Sequence, residues 1–146
     1  MTIGDARARP HRGSMTAPLD PDRPLRVLVV DADERVRASL AGLIGIGRQC
    51  VVVGSAGRPD AALSIIAADP PDVIVVDPRL PEVDAGHAFI ARVRELSPSV
   101  RILVMSWSDA LEHAGIVDGA DACIRKTFRP RDLVEAVLAA GRQPAS

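Results

Sequence analysis

The sequence predicts an α/β domain: a doubly wound, five-stranded parallel sheet in the order 2-1-3-4-5, with helices on both faces. Three observations predict it. Short Val/Ile/Leu runs alternate strictly with segments of helical period between residues 25 and 141. The strand runs are continuously apolar, as strands covered on both faces must be. Strict alternation with right-handed crossovers then gives a parallel sheet wound in two directions.

Residues 1–24 are rich in Arg, Pro, Gly and Asp, lack an apolar period and are expected to form a disordered tail. Met15 within it is an alternative start to Met1. Leu25 to Val30 reads as a buried strand ending at Asp31. Val36, Leu40, Leu43 and Ile44 follow at helical spacing, and Gly45 and Gly47 end that helix. Cys50 to Val53 is a second strand, closed by Gly54. Ala62, Leu63, Ile66 and Ala67 mark a second helix, stopped by Pro70 and Pro71. Val73 to Val76 is a third strand ending at Asp77. Phe89, Ile90, Val93 and Leu96 give a third helix before Pro98. Val100 to Met105 is a fourth strand leading to Ser106. Ser108 to Val117 carries a thin apolar stripe and predicts a weak fourth helix. Ala122 to Ile124 is a short fifth strand leading to Lys126. Pro130 opens a last helix as a first-turn proline, Leu133, Val134, Val137 and Leu138 face inward, and Gly141 caps it. Residues 142–146 are a stub.

Composition narrows the function. Net charge is −1, which advertises no basic surface for nucleic acid, and aromatics are too few for base stacking. No apolar run approaches the roughly 18 residues that span a bilayer, so no membrane association is expected. Cys50 and Cys123 are too far apart for a zinc or redox motif, which suits a reducing cytoplasm. In the order 2-1-3-4-5 they lie on opposite edges and cannot pair.

In an open parallel sheet the site forms at the carboxyl ends of the strands, beside the point where strand order reverses. Those ends carry Asp31 and Asp33, then Asp77, Ser106 and Lys126. Clustered carboxylates invite a hard divalent cation, most naturally Mg²⁺. A carboxylate is also a competent nucleophile toward phosphorus, and a cation with an ammonium neutralises a transferred phosphoryl group. Lys126 is the only lysine in a chain that otherwise uses Arg, which singles it out as a compact point charge. Asp33 also reads as the N-cap of the first helix, with Glu34 at its positive end. His11, His87 and His113 have no partner at metal spacing.

The segments Val29–Glu34, Pro71–Pro81, Ile102–Ser106 and Gly119 through Lys126 resemble, in order and spacing, the motifs of response regulator receiver domains, which have the flavodoxin-like fold. The run Lys126–Leu133 looks most like receivers of the NarL/FixJ kind. The resemblance covers residues 25 to about 140 and implies the roles. Asp77 would be the phosphoacceptor. Asp31, Asp77 and the backbone carbonyl of Arg79 would hold Mg²⁺. Ser106 and Lys126 would bind the phosphoryl oxygens. The phosphodonor would be a histidine kinase or phosphotransfer protein, and the output a protein contact or a homodimer through the fourth helix, fifth strand and fifth helix. No output domain follows, so direct DNA binding is not expected.

Three positions depart from the family. Ala32 replaces the second acid after strand one, which weakens Mg²⁺ binding; Asp33 substitutes only if the loop bends. Trp107 stands where a small residue usually admits the donor. Cys123 stands where an aromatic switch residue is usual. These make the receiver atypical and open a second reading, a phosphorylation-independent pseudo-receiver. A third is a haloacid-dehalogenase-like phosphatase with Asp31 as nucleophile and Asp33 as general acid. It leaves Asp77 unexplained and lacks room for a cap, so the chain is not expected to be an enzyme.

Overall fold

The computed structural model describes residues 23–107 and 119–142. The expected tail over 1–22, the weak helix over 108–117 and the stub beyond Arg142 lie outside the described residues. Five strands pair in parallel: β1 (Leu25–Val30), β2 (Cys50–Ala56), β3 (Val73–Val76), β4 (Arg101–Ser106) and β5 (Ala122–Arg125). Their order is β2-β1-β3-β4-β5, as the sequence predicts. Four helices are described: α1 (Glu34–Ile44), α2 (Pro59–Ala68), α3 (Val83–Leu96) and α4 (Pro130–Gly141).

The period-2 geometry of strands divides the core in two. Leu28, Val30, Ile74, Val76, Ile102 and Val104 face Ala62 and Ile66 of α2 and Phe89, Ile90 and Val93 of α3. Val27, Val29, Val73, Val75, Leu103 and Met105 face Leu40 and Ile44 of α1 and Leu133 and Val137 of α4. All of β3 is buried, which explains why it reads as an unbroken apolar run.

Two glycines do other work than their expected capping. Gly54 does not close β2. The strand runs on to Ala56, with a register shift between Val27 and Leu28 that skips Val53. Gly141 belongs to α4, and Arg142 is the C-cap. A Cβ on Gly141 would stand 2.5 Å from Leu25 Cδ1 and 2.8 Å from Val73 Cγ2, so glycine there lets the helix end close onto the sheet. Asp33 is the N-cap of α1 as expected, its Oδ1 accepting from the backbone N–H of Arg35 and Val36. Cys50 and Cys123 sit on the two edge strands, and neither is in a disulfide. Burial pushes the Cys50 thiol up, partly opposed by Arg142.

Candidate functional site

Strand register builds the site. Val30 lies opposite Val76, and Val76 opposite Val104, so β1 and β3 end level while β4 runs two residues further, to Ser106. Asp31 and Asp77 are the next residues along β1 and β3. The ladder continues through them: Asp77 N donates to the Val30 carbonyl at 3.1 Å and Asp31 N to the Ala56 carbonyl at 3.1 Å. Ser106 pairs with Arg125, and Lys126 N donates to the Ser106 carbonyl at 2.9 Å. The first, third, fourth and fifth strands therefore deliver their polar end residues to one edge.

Lys126 joins the acids. Its Nζ is 2.6 Å from Asp31 Oδ2 and 2.7 Å from Asp77 Oδ2. Exposure of the three side chains is 2%, 4% and 9% for Lys126, Asp31 and Asp77, so water screens the cluster little. The opposite carboxylate oxygens are held by backbone: Asp33 N donates to Asp31 Oδ1 at 2.9 Å and Arg79 N to Asp77 Oδ1 at 2.8 Å. Two carboxylates against one ammonium leave a formal charge of −1. A buried cluster of that sign favours a further cation over an anion.

Side chains behind the cluster fix its loops. Arg37 of α1 donates from Nη1 to the Asp31 carbonyl at 2.7 Å. Gly57 makes room for it, since a Cβ there would stand 2.6 Å from that nitrogen. On the other side α3 closes onto the loop after Asp77 at Gly86, where a Cβ would fall 1.6 Å from the Pro78 carbonyl oxygen. That loop includes a cis peptide at Leu80–Pro81.

The remaining expected site residues lie as follows. Ser106 is buried at the end of β4. Asp33 is adjacent in sequence, but its Oδ1 serves the α1 cap, a poor position for a general acid or a metal ligand. Among the described residues no three His, Cys, Asp or Glu side chains are grouped to hold a metal ion. Cys123 lies on β5 opposite Val104, partly buried against the α2/α3 face. Trp107 stands at the mouth, 53% exposed, with Lys126 Nζ 5.3 Å from its ring centroid.

Sequence reasoning missed three contributors. Phe128 packs on Trp107 with ring centroids 5.4 Å apart. The signal available was scarcity: it is one of two phenylalanines in the chain and stands two residues after the sole lysine. Arg37 and Gly57 gave no signal, because their pairing depends on how α1 meets the β2 end.

The response regulator receiver domain family matches this chain over residues 27–138. The chain belongs to that family. It is a receiver domain of two-component signalling. Among relatives, it is 34% identical to the response regulator MprA of Mycolicibacterium vanbaalenii over 113 residues, 76% of this chain and 48% of the relative. It is 33% identical to the DNA-binding transcriptional activator DevR/DosR of Mycobacterium tuberculosis over 81% of this chain and 56% of the relative. The chain thus spans about half the length of the curated relatives it matches. Among solved structures, the signal receiver domain of the response regulator NarL from Mycobacterium tuberculosis superposes with a TM-score of 0.74 at 29% identity, covering 84% of this chain and 99% of that one. The response regulator domain of Thermotoga maritima CheB gives 0.72 at 27% identity, with 84% and 99% covered.

Proposed function

We propose that this receiver accepts a phosphoryl group on Asp77 from a phosphohistidine of a histidine kinase or phosphotransfer protein, and signals through protein contacts. The observation that carries this is the buried Asp31–Lys126–Asp77 cluster at the carboxyl edge of the sheet. In the transfer an Asp77 carboxylate oxygen forms a bond to phosphorus. The phosphorus–nitrogen bond of the donor breaks, and its electron pair stays on the imidazole nitrogen. Lys126, already beside Asp77, moves its charge onto the phosphoryl oxygens, and the Ser106 hydroxyl donates a hydrogen bond to one of them.

The donor chemistry fits Mg²⁺. Asp31, Asp77 and the Arg79 carbonyl are hard oxygens, and Mg²⁺ keeps several waters, so three protein ligands suffice. When bound, the ion supplies charge neutralisation for the phosphoryl oxygens. Ala32 contributes no ligand and Lys126 already occupies both acids, so affinity is weaker than two adjacent acids would give. Asp33 could contribute only if its cap opened. The partner face in this reading is the sheet edge at β5 with α4, and a homodimer through it is a further part of this reading. No described helix is long and apolar enough to cross a membrane; a cytoplasmic location suits two cysteines that are in no disulfide.

Ala32 and the Asp33 cap favour one competing reading, the phosphorylation-independent pseudo-receiver. The deciding experiment is incubation with acetyl phosphate and Mg²⁺, read by intact mass, with Asp77→Asn as control. Wild-type protein gains one phosphoryl group and the variant gains none. No gain in the wild type would leave the pseudo-receiver standing.

A further inference from the structure

Lys126 has a third neighbour besides its two carboxylates. Its Nζ lies over the Trp107 ring at 5.3 Å from the centroid, within the range where an ammonium is attracted to an indole face. Trp107 in turn packs on Phe128, the two rings being tilted by 42° at 5.4 Å. The backbone sets this up. Trp107 follows Ser106 at the end of β4, Phe128 follows Lys126 by two residues beyond β5, and Lys126 N donates to the Ser106 carbonyl. The turn is fixed by Arg129 N donating to Thr127 Oγ1 at 3.1 Å. Both rings remain substantially exposed, at 53% and 42%, while the Lys126 side chain beside them is 2% exposed. The exposed indole thus lies against a buried ammonium.

We propose that Trp107, backed by Phe128, is a positioning residue for Lys126. This rests on the reading of Asp77 as phosphoacceptor. When an Asp77 oxygen becomes bonded to phosphorus, the ammonium loses part of one carboxylate partner. Lysine has a flexible four-carbon stem and gains rotamer entropy by swinging into water. The indole face opposes that swing and keeps the charge beside the phosphoryl oxygens. A residue standing where a small one usually admits the donor thus retains the site's lysine.

The chain's single lysine makes the test clean, because ¹³C,¹⁵N-lysine labelling gives one side-chain spin system. Wild type, Trp107→Phe, Trp107→Leu and Trp107→Ala are compared, with circular dichroism confirming folding. In the wild type the Lys126 Hε protons are shifted upfield by the indole ring current. The shift is lost with Leu and Ala and partly kept with Phe. With acetyl phosphate and Mg²⁺, the maximal rate of phosphorylation falls about two- to five-fold with Leu and Ala, while the half-saturating donor concentration is unchanged, and Phe restores the rate. An unchanged lysine resonance in Trp107→Ala overturns the proposal. So does a rate with Leu or Ala equal to or faster than wild type, which would make the indole only an obstruction or an apolar cover. If wild-type protein takes up no phosphoryl group, the Asp77 reading fails, and the side-chain order of Lys126 from relaxation of the same labelled lysine still decides: lower order in Trp107→Ala than in wild type supports positioning, and equal order overturns it.

Discussion

The two edges of the sheet each carry a cluster of opposite charges, and they are built differently. At the amino-terminal edge, Arg94 of α3 donates from Nε to the Gly119 carbonyl at 2.7 Å and from Nη1 to the Val100 and Pro98 carbonyls at 2.6 and 3.1 Å. Its Nη2 donates to Asp121, whose Oδ2 also accepts from Ile102 N at 2.8 Å, with Arg101 Nη1 3.8 Å from Oδ1. Every arm of that fork ends on a fixed acceptor, and the backbone groups it satisfies are those that start β4 and β5. At the carboxyl-terminal edge, Lys126 is shared between Asp31 and Asp77, and among the described residues no arginine fork closes the set. Formal charge runs in opposite directions, +1 for Arg94, Arg101 and Asp121 and −1 for Asp31, Asp77 and Lys126. A saturated cluster stabilises the fold, whereas a cluster short of positive charge is suited to accept a cation and an electrophile.

The largest test of this contrast removes the saturated fork. Arg94→Ala leaves the 18%-exposed Asp121 carboxylate only Ile102 N and the more distant Arg101, and takes the guanidinium donors from three backbone carbonyls. Loss of about 2–3 kcal/mol of unfolding free energy is expected, seen as a lower urea midpoint at constant slope. Phosphoryl uptake at Asp77 stays intact wherever the variant remains folded. A change under about 0.5 kcal/mol, the scale of an ordinary surface substitution, would erase the distinction between the edges.

A somewhat smaller effect tests whether packing, rather than charge, holds the Asp77 loop in place. Gly86→Ala puts a methyl group where the Pro78 carbonyl now lies, since the ideal Cβ would be 1.6 Å from that oxygen. Helix propensity favours alanine by about 1 kcal/mol, but the clash must move either α3 or the Pro78 backbone. A net loss of about 1–3 kcal/mol is expected, with altered Trp107 fluorescence on adding beryllofluoride. Stabilisation instead would show that the loop yields freely and that Asp77 is held by Arg79 N, Lys126 and the strand ladder rather than by α3 packing.

The fold was largely legible because its signals are local. Four polar residues ending four apolar runs can meet in a parallel sheet only at one edge, so the Asp31, Asp77, Ser106 and Lys126 grouping follows from strand direction alone. The Asp33 cap is equally local, reaching two and three residues ahead. What stayed hidden depends on contact between elements far apart in sequence. Gly54 and Gly141 look like stops to a one-dimensional reading, yet Gly141 is shaped by Leu25 and Val73, more than 60 residues away. Arg94 looks like one more helix-surface arginine until Gly119 and Asp121 close around it. The Trp107–Phe128 pair depends on β4 and β5 ending side by side.

The smallest expected effect concerns the unsaturated edge itself. Asp77→Asn removes one negative charge from the −1 cluster and leaves Asp31 with Lys126 as a neutral pair. The amide oxygen can keep the bond from Arg79 N, now 2.8 Å long to Asp77 Oδ1, and the change relieves repulsion between two buried carboxylates. It also gives up the 2.7 Å ion pair with Lys126. These terms oppose each other, so stability should change by no more than about 1 kcal/mol in either direction, while on the proposed function the same substitution is expected to abolish phosphoryl uptake. Urea unfolding of Asp77→Asn beside Arg94→Ala reads this directly. If Asp77→Asn costs as much as Arg94→Ala, both edges are structural, and the electrostatic ground for assigning Asp77 as the acceptor is lost.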